Sequence, residues 1–280
     1  MHGGDVGIVT SPVRDSRSVA SWVSTAVFLP VFGAVLVVFD VAQRAARLFG
    51  QRPQEYVAGA LQVALVAAFR ICDTRVVVER APGVQRGASY IVVSNHQSMF
   101  DIPILGALLF SCFPKYVSKR SLARWIPSIS YNLRRGGNAL IDRRNRDQAV
   151  TAIRMLASQV ERRGVSAVIF PEGTRARRGE LGSFKSRGTL ELLRAAPNTA
   201  ILPVAIDGSW QLLRDNLLPV PFGVRVRVWI ASPIDRRAGE DAESLMNRVE
   251  RQIRGRLEEW RGGHAATKPC TNDPPMDASS

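Results

Sequence analysis

The chain has 280 residues, 46% of them hydrophobic, with a formal net charge of +14. That length allows one large domain or two small ones with a full core, and it sets aside a wholly disordered chain. The charge calls for an anionic partner: nucleic acid, an anionic membrane surface or a phosphorylated substrate. The three cysteines, Cys72, Cys112 and Cys270, have neither metal nor disulfide spacing and suit a reducing compartment.

Residues 1–17 are polar and Gly-rich and read as a disordered N-terminus. From Ser18 to Phe39 there is no charged residue, and these 22 residues just reach the ~20 needed to span a bilayer. Pro30 should kink the segment. Arg14 and Arg17 precede it and Arg44 and Arg47 follow it, so flanking charge sets no orientation. No convincing cleavage site marks it as a signal peptide. A second apolar run, Tyr56 to Phe69, has 14 residues, too few to cross. Residues 18–72 therefore read as a membrane-associated two-helix hairpin dipped into one leaflet, with a spanning first helix as the alternative.

Residues 73–261 change to α/β character. Strands are expected at Arg75–Glu79, Tyr90–Val93, Lys115–Ser118, Asn138–Asp142, Ser166–Phe170, Ile201–Ile206 and Val224–Ile230. Helical stretches lie between them, notably Asp147–Arg162 and Arg187–Ala195. Alternation of this kind gives a mostly parallel central sheet flanked by helices. Val224–Ile230 alternates apolar and polar residues, the pattern of a half-exposed edge strand. Glu240–Trp260 reads as a charged surface helix, and residues 262–280 as a disordered tail.

The chemistry centres on Ser94-Asn95-His96-Gln97-Ser98-Met99-Phe100-Asp101, between the strand ending at Val93 and a helix from Ile102. Ligands of α/β folds usually bind at such strand ends. His96 is one of three histidines, the others being His2 and His264 in the chain ends. An acid five residues on points to a base and its orienter: Asp101 holds one ring nitrogen protonated and leaves the other to accept a proton. Ser98-x-x-Asp101 is also a capping box, and the two readings are compatible.

Three more stretches follow. Phe170-Pro171-Glu172-Gly173-Thr174-Arg175 leaves an apolar strand through a sharp turn, where Gly permits close approach of a ligand. Gly137-Asn138-Ala139-Leu140-Ile141-Asp142-Arg143 ends in an arginine suited to bidentate phosphate binding, although Arg143-Arg144-x-Arg146 also reads as a solvated charge run. Ile201-Leu202-Pro203-Val204 is an apolar strand with one proline. Residues 115–187 carry 17 Lys and Arg against 5 Asp and Glu, so most of the excess charge surrounds these motifs.

Together the motifs resemble those of the glycerolipid acyltransferases, specifically the 1-acyl-sn-glycerol-3-phosphate acyltransferase family. Asn95-His96-x-Ser98-x-x-Asp101 is similar to the first motif, and Phe170–Arg175 matches F-P-E-G-T-R completely. Gly137–Arg143 departs from G-x-x-F-I-x-R at Leu140, and Thr199-Ala200 replaces the Val-Pro that usually opens the last motif. The resemblance covers residues 75–235.

It implies transfer of an acyl group from an acyl thioester, carried by coenzyme A or acyl carrier protein, to the free hydroxyl of a lysophospholipid, giving phosphatidic acid. His96 would be the general base and Asp101 its partner. Arg143, Glu172, Gly173, Thr174, Arg175 and, more weakly, Lys119 would bind substrate. Backbone N–H groups after Ser98 would form the oxyanion hole. No metal or other cofactor is required, and the expected location is a membrane, with the catalytic domain on the cytoplasmic face against anionic lipid. One alternative is a related acyltransferase using another lysolipid acceptor. Another is a non-enzymatic basic protein binding membrane or nucleic acid, which ranks lower because the basic stretch lacks interleaved aromatics and tracks a strand-end site. A serine hydrolase is disfavoured by the lack of G-x-S-x-G.

Overall fold

A computed structural model describes residues 18–184, 186–236 and 241–265. The expected N-terminal disordered segment, and the tail beyond residue 265, lie outside the described residues. Seven strands form one sheet: β1 (Arg75–Arg80), β2 (Ile91–Ser94), β3 (Lys115–Lys119), β4 (Ala139–Ile141), β5 (Ala167–Ile169), β6 (Ile201–Asp207) and β7 (Arg225–Ile230). Their order is β1-β7-β6-β2-β5-β3-β4. The five strands from β6 to β4 are mutually parallel, β7 runs against β6, and β1 pairs parallel with β7.

The strand residues explain the two-sided burial. Ile91 and Val93 of β2, Ala167 and Ile169 of β5, and Ile201 and Ala205 of β6 enter one core. Helices α5 (Arg146–Arg163), α6 (Ser186–Ala195) and α7 (Ala242–Ala265) cover that core. The alternate residues Val92, Val168, Leu202 and Val204 enter a second core, beneath α3 (Asp101–Leu108) and an N-terminal helix pair. A strand buried on both faces has no reason to alternate, hence the continuous apolar runs.

Two expectations are corrected here. The strand at 224–230 is not at an edge, because β1 pairs outside it. Its alternation has another cause: Val226, Val228 and Ile230 are fully buried, whereas Trp229 on the opposite face lies under the guanidinium of Arg256 from α7, 4.8 Å from the ring centroid. The C-terminal helix also continues past Arg261 to Ala265, into the stretch read as tail.

The N-terminal pair is longer than its uncharged runs. Helix α1 covers Val19–Leu48 and α2 covers Gln51–Ala68, joined through Gly50 at φ +116°. The polar residues that hid their true length make contacts to the domain. Near the start of α1, Thr25 Oγ1 accepts from the Val220 amide (2.8 Å) and Ser21 Oγ from the Phe222 amide (3.1 Å). Near its end, Asp40 Oδ1 accepts from the Ser128 amide (2.6 Å), and Gln43 donates to the Ser128 side chain. Residues 21–43 cover about 33 Å of helix, as long as a bilayer core is thick. A helix fastened to one domain at both ends of that length lies along it, although by length and composition α1 is also long and apolar enough to cross a membrane. On α2, buried Glu55 reaches Lys115 Nζ and Arg163 Nη2, each at 2.9 Å, so the start of this helix is tied to the α/β body.

Candidate active site

Parallel strands bring their carboxyl ends to one edge of the sheet, and every residue singled out by the motifs follows such an end. His96 follows β2, Lys119 closes β3, Arg143 follows β4 and Glu172 follows β5. Asn95 continues the sheet beyond β2: its amide donates to the Ile206 carbonyl (2.8 Å) and accepts from the Ile206 amide (2.7 Å). A side chain that mimics a backbone pair with β6 fixes the exit direction of the chain at His96.

His96 Nδ1 lies 2.9 Å from Asp101 Oδ2. The same oxygen accepts from the amides of Gln97 (2.7 Å) and Ser98 (2.8 Å), and Oδ1 accepts from the Ser209 hydroxyl. Asp101 is fully buried, so all four donors are held by a group that only accepts. Nδ1 therefore carries the proton and Nε2 is the accepting nitrogen. The imidazole stacks on Phe170 at 4.1 Å between centroids and 17° between planes, which fixes the ring from its flat side. Asp101 also reaches back to the Ser98 amide, but α3 begins at Asp101 with Phe100 as its N-cap and no side-chain cap, so the expected capping box is not formed.

Glu172 is the second fixed point. It is 3% exposed; Oε1 accepts from the His96 amide (2.7 Å) and Oε2 from the Gly182 amide (2.8 Å). Burial pushes its carboxyl above the usual carboxylate range against these two bonds. A Cβ on Gly182 would stand 2.8 Å from Oε2, so that position must stay bare. Sequence reasoning placed Glu172 on the substrate; in the structure Oε1 ties the β5 turn to the His96 loop and Oε2 ties it to Gly182 further along the same segment. Gly173 shapes that turn at φ +68°, its amide donating to the Phe170 carbonyl (3.1 Å).

The remaining sequence-selected residues form an outer ring that does not touch His96. Lys119, Arg143, Thr174 and Arg175 are exposed. β4 lies three strands from β2, which at sheet spacing is ~14 Å. Arg143 therefore stands well away from the His96 loop.

The oxyanion expectation narrows. The amides of Gln97 and Ser98 are taken by Asp101, that of Phe100 by Ser98 Oγ, and that of Asp101 by the Ser98 carbonyl. Along residues 96–101 only the Met99 amide lacks a hydrogen bond among the described residues. Sequence reasoning missed Ser209, and it missed the bridge in which Gln97 Nε2 and Arg261 both donate to Asp207 Oδ1 (3.1 and 3.0 Å). No local pattern links residues so far apart in the chain.

A family model described as Acyltransferase matches residues 75–207. The chain is 31% identical over 196 residues to the mouse 1-acyl-sn-glycerol-3-phosphate acyltransferase alpha, covering 69% of this chain and 67% of that protein. It is 28% identical over 190 residues to the Borreliella burgdorferi 1-acyl-sn-glycerol-3-phosphate acyltransferase, covering 67% and 74%. The chloroplastic enzyme of that name from Arabidopsis thaliana is 31% identical over 176 residues, 63% of this chain but only 46% of the plant protein's length. The crystal structure of the 1-acyl-sn-glycerophosphate acyltransferase from Thermotoga maritima shares the fold, with a TM-score of 0.70 over 85% of this chain and 95% of that one at 24% identity.

Proposed function

The chain belongs to the acyltransferase family that includes the 1-acyl-sn-glycerol-3-phosphate acyltransferases, and on that premise we propose that it acylates the free sn-2 hydroxyl of 1-acyl-sn-glycerol-3-phosphate to give phosphatidic acid. The observation that carries this reading is the His96–Asp101 pair, held at 2.9 Å on the carboxyl end of β2 with Nε2 free.

An alcohol is not ionised at neutral pH, so its proton must leave as it attacks. His96 Nε2 takes that proton while the hydroxyl oxygen bonds to the thioester carbonyl carbon. Asp101 stabilises the imidazolium that forms, as in a Ser-His-Asp triad with the substrate hydroxyl in the serine's place. The tetrahedral intermediate collapses with cleavage of the C–S bond, and the imidazolium returns the proton to the departing thiolate. The Met99 amide is the free donor of the loop for the oxyanion. Lys119 and Arg143 hold the acceptor's phosphate, Gly173, Thr174 and Arg175 line the approach to His96, and Glu172 positions the loop. The reaction draws on an acyl thioester as co-substrate and on no metal or cofactor.

The membrane geometry follows from α1. Its inner stripe (Ser21, Thr25, Phe28, Leu36, Gln43) is buried, while Val19, Trp22, Val23, Val27, Val38 and Val41 on the outer side are 50–79% exposed. Beside the end of α1, Trp125 is 95% exposed and Leu122 49%. So large an exposed apolar surface needs a cover, and a helix lying in the bilayer interface supplies one. We place the domain on the cytoplasmic face, where thioester donors are made and where Cys72 and Cys112 stay as free thiols. The protein should stay with vesicles in a salt wash, which weakens only the ~1 kcal/mol contributed by each basic residue near the surface. Release by salt alone would contradict the anchoring.

Purified protein with labelled acyl thioester and a panel of acceptors tests the function. Lysophosphatidic acid should be acylated well ahead of lyso-aminolipids, lysophosphatidylcholine and monoacylglycerol. A preference for any of these others would replace the acceptor assignment.

A further inference from the structure

The two edges of the sheet are finished differently. At β4, backbone groups of the strand and its flanks are taken by side chains of α5. Gln148 Nε2 donates to the Leu140 carbonyl (2.8 Å), its Oε1 accepts from the Asp142 amide (2.8 Å), and Gln159 Nε2 donates to the Gly137 carbonyl (3.2 Å). Along β1 the edge is left open. The Arg75 amide donates to the Val224 carbonyl (2.9 Å) and the Ala81 amide to the Ile230 carbonyl (2.8 Å), so the odd-numbered residues of this strand face β7. Val76 and Val78 therefore turn their N–H and C=O groups outward, where neither has a partner among the described residues. Val77 and Val78, in the middle of this edge, are 47% and 37% exposed. A bare apolar edge is a template for another strand. We infer that this other strand is β1 of a second copy of the chain, paired antiparallel about a two-fold axis at Val77.

The residues of the edge select that register. The outward groups meet only where Val76, Val78 or Arg80 stands opposite another of these three. An axis at Val77 sets Val76 against the partner's Val78 and Arg75 against the partner's Glu79, with opposite charges directly across. An axis at Glu79 would oppose two carboxylates. One at Val78 would set Val77 against the partner's Glu79, and one at Val76 would set Arg75 against the partner's Val77. Both charges also have contacts within the chain, Arg75 to Asp73 (3.2 Å) and Glu79 to Arg256 and Trp260 (3.2 Å each). Their pairing across the axis therefore selects the register, while the backbone bonds and the valines supply the attachment. The symmetry also suits the membrane placement proposed above. A two-fold axis normal to the sheet extends it into one continuous sheet and keeps like faces together. Phe28 of α1 packs on the face that holds Val92 and Leu202. Both copies of α1 then lie on one side, with their exposed valines turned to the same membrane. His96 follows β2, three strands in from β1, so both sites stay open.

The test uses full-length Cys270→Ser protein, whose remaining thiols are the buried Cys72 and Cys112. Light scattering in detergent should give twice the mass of one chain, falling to that of one chain on dilution. Val77→Cys in that background places the two introduced thiols on a directly opposed, non-hydrogen-bonded pair, about 4.5 Å between Cα atoms and within disulfide reach. Mild oxidation should link it, on vesicles as in detergent. Val76→Cys and Val78→Cys face their own copies only diagonally, ~7–8 Å away, and should link at least ~10-fold more slowly. Val77→Lys opposes two like charges and should shift the protein to monomer at the same concentration, with turnover per chain unchanged. A monomeric mass at every concentration, together with no Val77→Cys link on vesicles, would overturn the proposal and leave the edge to a different protein. Equal linking at all three positions would overturn it as well, since chance collision has no register. Should Val77→Lys fail to fold, the cysteine series decides alone.

Discussion

Strand β3 carries a lysine at each end, and the two have opposite fates. Lys115, at the amino end, is 4% exposed and paired at 2.9 Å with Glu55, which also binds Arg163 and Arg52. Burial pushes its ammonium below the usual lysine range, with Glu55 holding against it. Lys119, at the carboxyl end, is exposed and has no partner among the described residues. The positive charge at the two ends of β3 thus has two different uses. At the amino end of the sheet charge is neutralised and locks α2 to the body. At the carboxyl end it is left open, where an anion can complete it.

The largest effect that would sharpen this contrast is on stability. Glu55→Ala leaves Lys115 buried without its carboxylate and should cost ~3–5 kcal/mol, read as a lowered denaturation midpoint with unchanged slope. A loss below 1 kcal/mol would place the amino-end cluster with the open charge.

Next in size is the effect on substrate. Arg143→Ala and Lys119→Ala should leave stability within about 0.5 kcal/mol. Each should raise KM for lysophosphatidic acid by the equivalent of ~1.5–3 kcal/mol for a lost charged hydrogen bond. An equal rise with an acceptor lacking the phosphate would break the contrast, since the residue would then serve structure or donor.

The smallest effect concerns the fixed core of the site. Ser209→Ala removes one of four donors to Asp101 and should lower kcat by roughly tenfold or less, as expected for about 1 kcal/mol of a net hydrogen bond. KM for either substrate should not move. A changed KM with constant kcat would show that Ser209 contacts substrate instead of holding Asp101.

Most of this organisation was legible in the sequence, for identifiable reasons. The inner strands β2, β5 and β6 follow from apolar runs because they are buried on both faces of the sheet, whereas β7 was found by its alternation. The His96–Asp101 pair was legible because both partners lie in one turn between a strand and a helix. The helix lengths were not, since Asp40 and Glu55 read as ends of apolar runs when they are contacts to the domain. The position of β7 was misread because alternation marks a polar face, and that face belongs to α7 rather than to solvent. Ser209, Asp207, Arg261 and the structural use of Glu172 depend on strand order, which no local spacing encodes.

The central claim is that His96 Nε2 removes the acceptor's proton. Its most direct test is turnover of His96→Ala on lysophosphatidic acid in vesicles, measured on protein whose melting midpoint and vesicle binding match the wild type. The account predicts a loss of at least ~10²–10⁴-fold in kcat, with the KM for both substrates little changed. Turnover near the wild-type rate would contradict it.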